Sequence, residues 1–298
     1  MSNYYSNGKV LLSGEYAVLY GAEAVGLPTK MGQNLIVQNR KDDFIEWISF
    51  NSDKEIWFNC IFKNESLSIL KTNKSKIAKK LQVILRIVKE LNPGFLLSGK
   101  TIKTALGFDF RWGLGSSSTL INNLAQWAEI NPYDLLKKTF GGSGYDIACA
   151  MNNSPILFSL NSDKQVIKQV KFNPKFKKNL FFIYQNKKQN SQKSILNFQK
   201  KVSVGSSIIN EISIISNNLL VTRSINEFSK LIKAHEDIMS KLLNINSLIK
   251  NFPDYNGTVK SLGAWGGDFF LAVGPEDSID YFRKKGLNIG FKFDDIIL

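Results

Sequence analysis

A run of small residues, Gly113–Ser118 (GLGSSS), stands between two segments of different periodicity and is called the glycine–serine loop below. The segment before it, Gly99–Gly107, favours a β-strand, and the segment after it, Thr119–Ile130, places apolar residues at helical spacing. Small residues at such a junction let the backbone turn sharply and leave N–H groups free to bind an anion. The chain is therefore expected to contain a strand–loop–helix unit that can hold a charged ligand.

Strand-like and helix-like segments alternate along the rest of the chain. Further strands are predicted at Lys9–Leu12, Asn34–Gln38, Phe44–Phe50, Ile56–Phe62, Pro155–Leu160, Asn179–Tyr184 and in the final GLNIGFKFDDIIL. Helices are predicted at Lys76–Leu91, Pro132–Phe140, through most of Ser191–Lys250, and at Asp277–Lys285. This is an α+β pattern. With 298 residues, two lobes meeting near Leu160–Lys178 are expected, at 1–170 and 171–298, although one large α/β unit is also possible.

The formal charge of +14, from 39 Lys and Arg against 25 Asp and Glu, suggests an anionic partner such as nucleic acid, a membrane or a phosphorylated metabolite. A compositional bias explains it equally well, because the lysines are scattered through the chain. No RNA-recognition signature, zinc-finger spacing or basic zipper accompanies the charge. Nucleic-acid binding is therefore not expected.

Two cysteines, Cys60 and Cys149, are too few for a disulfide framework and form no C-x-x-C pair. The first residues, MSNYYSNGKV, do not resemble a secretory signal, and no apolar run approaches the roughly 20 residues that span a bilayer. A cytoplasmic protein without a membrane partner is expected.

Two stretches have both a structural and a functional interpretation. In the glycine–serine loop, Ser116 or Ser117 could simply be an N-cap of the next helix, or a hydroxyl could bind phosphate or Mg²⁺. The loop is neither a Walker A motif nor a G-x-G-x-x-G fingerprint. In FGGSGYDIACAM, Ser143 and Asp146 have the spacing of a capping box, yet Asp146 could also be placed for chemistry.

Three motifs together are similar to those of the GHMP kinases, the superfamily of galactokinase, homoserine kinase, mevalonate kinase and phosphomevalonate kinase. They are GKVLLSGEYAVLYG from Gly8, the GLGSSS of the glycine–serine loop, and GAWGGD from Gly263. SGYDIA and GGD resemble the mevalonate and phosphomevalonate kinase branch in particular. The resemblance implies a two-lobe GHMP kinase fold, with an N-terminal lobe like ribosomal protein S5 domain 2 and a ferredoxin-like C-terminal lobe.

The resemblance also implies site residues. ATP phosphates would be bound by the glycine–serine loop and clamped by Arg111, with Ser117 as the Mg²⁺ ligand. The loop residues concerned are Gly113, Leu114, Gly115, Ser116, Ser117 and Ser118. Asp146 would accept the proton of the acceptor hydroxyl, and Lys9 beside it would keep that carboxylate ionised. The acceptor would be contacted by Glu15, Ser143, Gly144, Lys187, Ser191, Gly263, Ala264, Gly266 and Gly267. For the basic patch that includes Lys187 and Ser191, a solvated loop is an equally good interpretation.

Three features depart from the family pattern. The glycine–serine loop is preceded by Phe110-Arg111-Trp112, where the family often has a proline and small residues. Trp265 stands where a small residue is usual and would fill part of the cleft. The acidic Mg²⁺ ligand of many members has no clear counterpart, which leaves Asp134 or Glu129. His235, in AHED on a long helix, is expected to be an exposed helical residue rather than a general base.

The expected function is therefore ATP-dependent phosphorylation of mevalonate or phosphomevalonate in isoprenoid precursor synthesis, by a monomer or homodimer that uses Mg²⁺. Lys9 with Asp146 suits a hydroxyl acceptor, whereas the basic patch and the GGD sequence suit an acceptor that already carries phosphate. The alternatives are a diphosphomevalonate decarboxylase-type lyase, a kinase of a sugar or homoserine, and a non-catalytic ATP-binding member.

Overall fold

The computed structural model describes residues 1–162, 164–189, 191–201 and 204–298. These residues group into two compact units. Unit 1 comprises Met1–Gly8, Met31–Phe110 and Leu114–Met151, and unit 2 comprises Lys9–Lys30, Arg111–Gly113 and Asn152–Leu298. The domain boundary at residue 170 stays a prediction, because the units follow packing rather than a single cut in the sequence.

The regular elements follow in chain order. The strands are β1 (Ser2–Ser13), β2 (Ala24–Asn39), β3 (Phe44–Phe50), β4 (Ile56–Lys63), β5 (Ile69–Thr72), β6 (Lys100–Leu106), β7 (Ile156–Asn161), β8 (Lys164–Gln169), β9 (Leu180–Tyr184), β10 (Thr258–Ser261), β11 (Phe269–Val273) and β12 (Gly290–Lys292). The α-helices are α1 (Ser75–Leu91), α2 (Ser116–Ala128), α3 (Pro132–Thr139), α4 (Tyr145–Met151), α5 (Ser191–Lys201), α6 (Ser206–Val221), α7 (Ile225–Leu243), α8 (Ser278–Lys284) and α9 (Phe293–Ile296). Short 3₁₀ turns lie at Ala17–Tyr20, Lys177–Asn179 and Leu248–Asn251.

Unit 1 contains a sheet in the order β5-β4-β3-β6-β2, in which β3 and β6 run parallel and the other neighbours antiparallel. Residues alternate across this sheet, so Ile45 and Trp47 of β3 and Phe58 and Phe62 of β4 are buried while their neighbours are more exposed. The same core includes apolar residues of α1, α2, α3 and α4. The helix that follows the glycine–serine loop, α2, therefore packs against one face of this sheet.

Unit 2 contains an antiparallel sheet in the order β10-β11-β9-β12, and the first part of β2 pairs with β7, which pairs with β8. β9 (LFFIY) and β11 (FFLAV) are buried at every residue. Strands whose residues are all apolar and buried have other elements packed against both faces of the sheet. A second apolar cluster joins Phe198, Ile212 and Met239 of α5, α6 and α7 to Tyr16 and Trp265.

The predicted elements are largely confirmed, with two differences. The final segment is not one strand, because after β12 the chain turns into α9, where Asp295 accepts a hydrogen bond from the Lys292 N–H. The short edge strands β5 and β8 carry too few apolar residues to be predicted. Among the described residues, no helix combines the length and the apolar composition needed to cross a bilayer.

Candidate functional site

The glycine–serine loop turns into α2 at Gly115, whose φ of 95° lies in the left-handed region. The Gly115 carbonyl accepts hydrogen bonds from the Ser118 hydroxyl at 2.9 Å and from the Thr119 N–H at 2.9 Å. Gly115 therefore occupies the N-cap position, and no side chain caps the helix. The interpretation of Ser116 or Ser117 as the N-cap is wrong, because both already lie inside the first turn.

The first turn of α2 keeps polar groups available. N–H groups at the start of a helix have no intrahelical partner, and the helix dipole is positive there. Ser117 is exposed, Ser116 is half-buried, and Ser118 is buried with its hydroxyl bonded back to Gly115. An anion at this end of α2 would meet backbone N–H groups and the Ser117 hydroxyl, with Ser118 serving the turn itself.

A buried polar network holds α2 in place within unit 1. Thr119 donates to the Gln33 side chain at 2.8 Å, and Asn123 donates to the Gln33 carbonyl at 2.9 Å. Ser6 donates to Asn123 at 2.7 Å and accepts from Asn122 at 2.8 Å. Buried polar groups with every bond made fix one arrangement of the elements that carry them. The network thus fixes the helix whose N-terminus faces the expected phosphate.

Asp146 lies half-buried in the first turn of α4, also in unit 1. Its Oδ1 accepts the N–H of Ile147 at 3.1 Å. The Ala148 N–H bonds to the Gly144 carbonyl at 3.0 Å, so the helix begins one residue later than a capping box between Ser143 and Asp146 requires. Buried Ser143 accepts instead from the Tyr145 N–H at 3.4 Å. The capping-box interpretation is therefore wrong in register.

Tyr133 lies beside this turn and was not anticipated from the sequence. Gly144 has a φ of 86°, and a Cβ there would approach the Tyr133 ring to 2.9 Å. Burial raises the pKa of Tyr133, with smaller contributions from Cys149 and Asp146, so the phenol stays protonated. Its hydroxyl is buried and has no hydrogen-bond partner among the described residues. Gly144 is thus needed where the backbone crosses an aromatic ring next to Asp146.

An aromatic stack formed by Trp57 and Phe110 also belongs to unit 1. The two rings are nearly parallel, at 17°, with centroids 5.9 Å apart, and the Lys74 ammonium lies 5.1 Å from the Trp57 ring centroid. Phe110 is 43% exposed although it is large and apolar. The Trp57 indole N–H is buried without a partner in the described part of the chain. The stack offers a π face, a cation and a donor to a planar ligand.

In unit 2, distant parts of the sequence meet at Asp268, the last residue of the loop Leu262–Asp268, called the GGD loop below. The Asp268 N–H bonds to the Lys187 carbonyl at 2.6 Å, and Oδ1 accepts the Gln189 N–H at 3.0 Å. Burial raises the pKa of Asp268, and the Gln189 N–H and the charges of Lys9 and Lys188 oppose that rise. Sequence reasoning missed this carboxylate, although the D of GGD was its signal.

The glycines of the GGD loop permit close approaches. A Cβ on Gly267 would lie 2.6 Å from the Lys187 carbonyl, and one on Gly266 would lie 2.8 Å from the Gln189 side chain. Gly263 has a φ of 61° with open space around it, and the Ala264 carbonyl accepts a bond from the Tyr16 hydroxyl at 2.8 Å. Contacts of these four residues with an acceptor stay predictions.

Trp265 has a clear place within unit 2. It is 3% exposed and packs in the apolar cluster with Tyr16, Phe198 and Met239. The ring therefore anchors the GGD loop to the helices of unit 2. That packing accounts for a large residue where the family has a small one.

Four ionisable side chains of unit 2 form a buried ion cluster: Glu15, His235, Glu236 and Lys260. Lys260 Nζ donates to Glu15 Oε1, and Glu15 Oε2 lies 3.2 Å from His235 Nε2. Both oxygens of Glu236 accept bonds from Ser261, from its N–H at 2.9 Å and its hydroxyl at 3.1 Å. The cluster joins the turn after β1 to α7 and β10. Glu15 thus contacts protein groups here, and its contact with an acceptor stays a prediction.

His235 is completely buried, so the expectation of an exposed residue is wrong. Its Nε2 accepts the Gly14 N–H at 3.0 Å, which places the ring proton of a neutral imidazole on Nδ1. Burial and then the Lys260 charge lower the pKa of His235 well below its ordinary value. Burial raises the pKa of Glu15 to about 7 against the opposing effect of Lys260. Helical periodicity gives no sign of a partner in the turn after β1.

The remaining predicted residues lie at separate points. Arg111 is exposed in unit 2, and its carbonyl accepts the Tyr184 hydroxyl at 3.2 Å. Lys187 is exposed and is tied to the GGD loop through its backbone. The Ser191 side chain lies outside the described residues. Lys9 is half-buried in unit 2 whereas Asp146 belongs to unit 1, so their pairing stays a prediction.

The two acidic residues considered as Mg²⁺ ligands are Glu129 and Asp134. Glu129 is the C-cap of α2, about 20 Å along the helix axis from Ser116, so it cannot share an ion with Ser117. Asp134 is exposed in the first turn of α3. Within the described ranges, no three His, Cys, Asp or Glu side chains converge as a metal site.

Solved kinase structures share this architecture. The mevalonate kinase of Methanococcus jannaschii aligns with a TM-score of 0.70 and 18% identity, over 97% of this chain and 96% of that chain. The phosphomevalonate kinase of Streptococcus pneumoniae, in complex with phosphomevalonate and AMPPNP, aligns with a TM-score of 0.71 and 16% identity, over 98% and 100%. The chain has the GHMP kinase fold. Lactococcus lactis galactokinase, in complex with galactose, aligns with a TM-score of 0.66 and 12% identity, over 95% and 87%.

No protein-family model and no curated protein matches the sequence. The GHMP kinase resemblance carried by the three motifs is confirmed at the level of the fold, and so is the α+β class. At 12% to 18% identity, the solved structures bear on the fold alone and not on a reaction.

Proposed function

We propose that this chain is an ATP-dependent kinase of the GHMP superfamily that phosphorylates a small anionic acceptor. One observation carries the proposal: the first turn of α2 follows a left-handed glycine cap and exposes Ser117. The same fold occurs in a kinase that binds AMPPNP, a nucleotide. N–H groups and the dipole at a helix N-terminus favour phosphate. The glycine–serine loop would hold the nucleotide phosphates.

The aromatic stack supports a nucleotide rather than another anion. Phe110 lies three residues before Gly113, the first residue of the glycine–serine loop. A purine ring could stack on the exposed Phe110, whose ring lies nearly parallel to that of Trp57. Lys74 adds a positive charge beside the same ring.

The donor set fits a Mg²⁺ ion that arrives with the nucleotide. Such ions are held largely by substrate phosphates and water, with few protein ligands. Ser117 is the exposed hydroxyl at the N-terminus of α2 and would be one of those ligands. The ion would neutralise charge on the phosphates. Arg111, which is exposed, could contribute further positive charge to the nucleotide.

Asp146 and Lys9 have the residue types that the transfer needs. The half-buried Asp146 carboxylate would accept the proton of an acceptor hydroxyl as the new O–P bond forms. Lys9 would stabilise negative charge on the acceptor oxygen. Phosphoryl transfer depends mainly on alignment and on neutralising phosphate charge, so these two groups complement the helix N-terminus.

Mevalonate and phosphomevalonate are the acceptors that we propose. Mevalonate offers a hydroxyl that needs a base, for which Asp146 is suited. Phosphomevalonate offers an anion that needs cations, for which Lys187 and its lysine neighbours are suited. We propose a chain that works as a monomer or homodimer in the cytoplasm.

The first experiment measures ADP release by purified protein with ATP, Mg²⁺ and one acceptor at a time. Turnover with mevalonate or phosphomevalonate supports the proposal and chooses between them. Turnover only with galactose or homoserine would keep the kinase but reject the isoprenoid role. Release of CO₂ from diphosphomevalonate would instead identify a lyase.

The Asp146→Asn variant tests the base. Loss of general-base catalysis should lower turnover by about 100-fold or more and leave ATP affinity nearly unchanged. A purely structural Asp146 would cost about 1 kcal/mol of stability at the helix start and leave turnover close to wild type. Asp53→Asn is the control, because Asp53 is an exposed carboxylate of the same unit.

A thermal-shift titration with AMPPNP tests nucleotide binding without turnover. At 100 times the dissociation constant, the ligand should stabilise the folded chain by about 2.7 kcal/mol. The Phe110→Ala variant should weaken this stabilisation, because it removes the exposed ring of the aromatic stack. A chain whose melting temperature does not respond to AMPPNP would not be a kinase.

A further inference from the structure

Two adjacent residues of α7, His235 and Glu236, bond to different loops of unit 2. His235 Nε2 accepts the Gly14 N–H at 3.0 Å, in the turn after β1. Glu236 accepts the Ser261 N–H at 2.9 Å and the Ser261 hydroxyl at 3.1 Å, directly before the GGD loop. It also accepts the Leu248 N–H at 3.0 Å. One short stretch of helix therefore holds three segments that are far apart in the sequence.

The turn after β1, at residues 14–16, is also bonded directly to the segment around the start of the GGD loop. Lys260 Nζ donates to Glu15 Oε1 and, at 2.9 Å, to the Ser261 carbonyl. The Tyr16 hydroxyl donates to the Ala264 carbonyl, inside the GGD loop, at 2.8 Å. The turn and the loop are therefore linked both through α7 and to each other.

The four ionisable side chains of this arrangement are buried. Glu15, His235, Glu236 and Lys260 are each at most 1% exposed. Burying charged groups costs free energy, and apolar side chains of similar volume often give equal or greater stability. Hydrogen bonds add direction, because each donor and acceptor fits one arrangement of the segments that carry them. The directional bonds are therefore the feature to explain.

The backbone that these bonds hold differs at the two loops. Gly263, two residues after Ser261, has a φ of 61°, and a Cβ there would meet nothing within 4 Å among the described residues. That part of the GGD loop has room to move. A Cβ on Gly14 would instead lie 2.5 Å from the Ala24 Cβ, so the turn already lies against β2. α7 thus ties a loop with free space around it to a turn with a fixed position.

We propose that His235 and Glu236 are positioning residues that hold the turn at residues 14–16 and the start of the GGD loop in one shared arrangement. This inference rests on the proposed function, because both segments are predicted to contact the acceptor of the phosphoryl group. A shared arrangement keeps the acceptor end aligned, and phosphoryl transfer depends on alignment. Each residue acts through the backbone N–H that it accepts.

The first test compares His235→Leu with His235→Gln. Leucine removes the acceptor for the Gly14 N–H, whereas glutamine keeps an acceptor oxygen. In His235→Leu, amide hydrogen exchange measured by NMR should be about 10-fold faster at Gly14 and also faster at Ser261, because the two segments share one arrangement. His235→Gln should restore slow exchange at both. Faster exchange at Gly14 alone would overturn the proposal.

Glu236→Gln tests the same link from the other side. Its side chain has one acceptor oxygen, whereas Ser261 and Leu248 donate to both oxygens of the carboxylate. Exchange should become faster at Ser261 and, through the shared arrangement, at Gly14. Should His235→Leu not fold, this variant decides, and unchanged exchange at Gly14 would reject the proposal.

Ser213→Ala is the control. It removes a side-chain acceptor on the neighbouring helix α6, which the Glu23 N–H contacts at 3.0 Å. Exchange at Gly14 and Ser261 should stay as in the wild type. Faster exchange at both would contradict a role specific to His235 and Glu236.

The second readout is steady-state kinetics with ATP and the accepted substrate, at a temperature at which each variant is folded. His235→Leu should lower kcat by about 10-fold or more with the KM for ATP nearly unchanged, and His235→Gln should keep most of the wild-type kcat. An unchanged kcat in His235→Leu would overturn the positioning role and leave a purely structural one.

The two readouts separate this inference from the proposed function. A wild type without phosphotransferase activity, but with linked exchange at Gly14 and Ser261 in the variants, would remove the proposed function and leave the shared arrangement standing. An active wild type whose variants show no such link would do the reverse.

Discussion

Two acidic side chains of unit 2, Glu15 and Asp268, belong to motifs that the sequence marks, yet their surroundings differ. Glu15 is 1% exposed, accepts a hydrogen bond from Lys260 and lies 3.2 Å from His235. Asp268 is 8% exposed, is bonded to a backbone N–H, and has Lys9 and Lys188 near it. Both carboxyl groups have a raised pKa because of burial, so that shift alone does not distinguish their roles.

The difference lies in the partners. Lys260 is completely buried and forms an ion pair with Glu15, so its charge is balanced inside the protein. Lys188 is exposed and Lys9 is half-buried, so their charges can still act on a ligand. A closed ion pair fixes the loops that carry it, whereas an open arrangement can take part in binding. Through Glu236, the buried ion cluster bonds to Ser261, the residue before the GGD loop, whereas Asp268 is the last residue of that loop.

The largest expected effect follows from breaking the closed pair. Lys260→Met should destabilise the folded chain by about 3–5 kcal/mol, because it leaves the buried Glu15 without its cation. Urea denaturation at pH 7.5 measures the free energy of unfolding. Part of the loss should be recovered at pH 5, where Glu15 can stay protonated.

Lys285→Met is the matched control, because Lys285 pairs with Asp254 at a similar Nζ–O distance but in solvent. Its cost should be far smaller, because solvent screens an exposed ion pair. Equal losses in the two variants would mean that the enclosure of Glu15 and Lys260 adds nothing. The closed arrangement would then be no different from a surface pair.

A smaller effect is expected at the open carboxylate. Gly113→Ala and Gly263→Ala both place a Cβ at a positive φ, of 71° and 61°. Only the first Cβ meets Asp268, at 2.4 Å, whereas the second meets no atom within 4 Å. Each should lose about 1–2 kcal/mol for the backbone conformation. Gly113→Ala should lose about 1–3 kcal/mol more for the overpacking.

Thermal and urea unfolding of the two variants measure that difference. A double variant, Gly113→Ala with Asp268→Gly, should recover the extra loss, because the obstructing carboxylate is gone. Equal stability of the two single variants would show that the Asp268 side chain moves away without cost. The contact between the glycine–serine loop and Asp268 would then be loose.

The fold was predictable because its signals are local. Alternation in FIEWISF and the apolar spacing of Lys76–Leu91 match β3 and α1 almost residue for residue. The glycine–serine loop likewise stands between β6 and α2 as predicted. β5 and β8 escaped because each is a short edge strand with few apolar residues, and β8 is mostly exposed. Edge strands depend on pairing with a neighbour, which periodicity does not report.

The environment of the site residues was less predictable because it depends on long-range contacts. Glu15 and His235 are 220 positions apart in the sequence, and neither neighbourhood carries a sign of the other. The motif resemblance pointed to Glu15 as an acceptor contact, and helical periodicity pointed to an exposed His235. Trp57 in β4 and Phe110 in the loop after β6 form the aromatic stack, and residue spacing alone does not bring them together.

The smallest expected effect concerns the sign of the pH dependence in the buried ion cluster. Glu15 has a pKa of about 7 in the folded chain and an ordinary value of about 4.5 in the unfolded chain. Between these pH values the folded chain holds a proton that the unfolded chain has released. The contribution of Glu15 to the free energy of unfolding therefore falls as pH rises through this range. His235 has the opposite sign. Its pKa is lowered, so below pH 6.5 the unfolded chain binds a proton that the folded chain does not, and the unfolding free energy falls as pH falls.

His235→Gln separates the two contributions, because glutamine can still accept the Gly14 N–H but does not titrate. In urea titrations, the free energy of unfolding of the wild type relative to this variant should rise as pH rises towards 6.5, because the unfolded chain then loses its extra proton. His235 is the only histidine in the sequence, so NMR gives a direct check. The midpoint of its imidazole signals should lie well below pH 6.5 in the folded chain. A midpoint near 6.5 would mean that solvent reaches the cluster, and Glu15 would then be as open as Asp268.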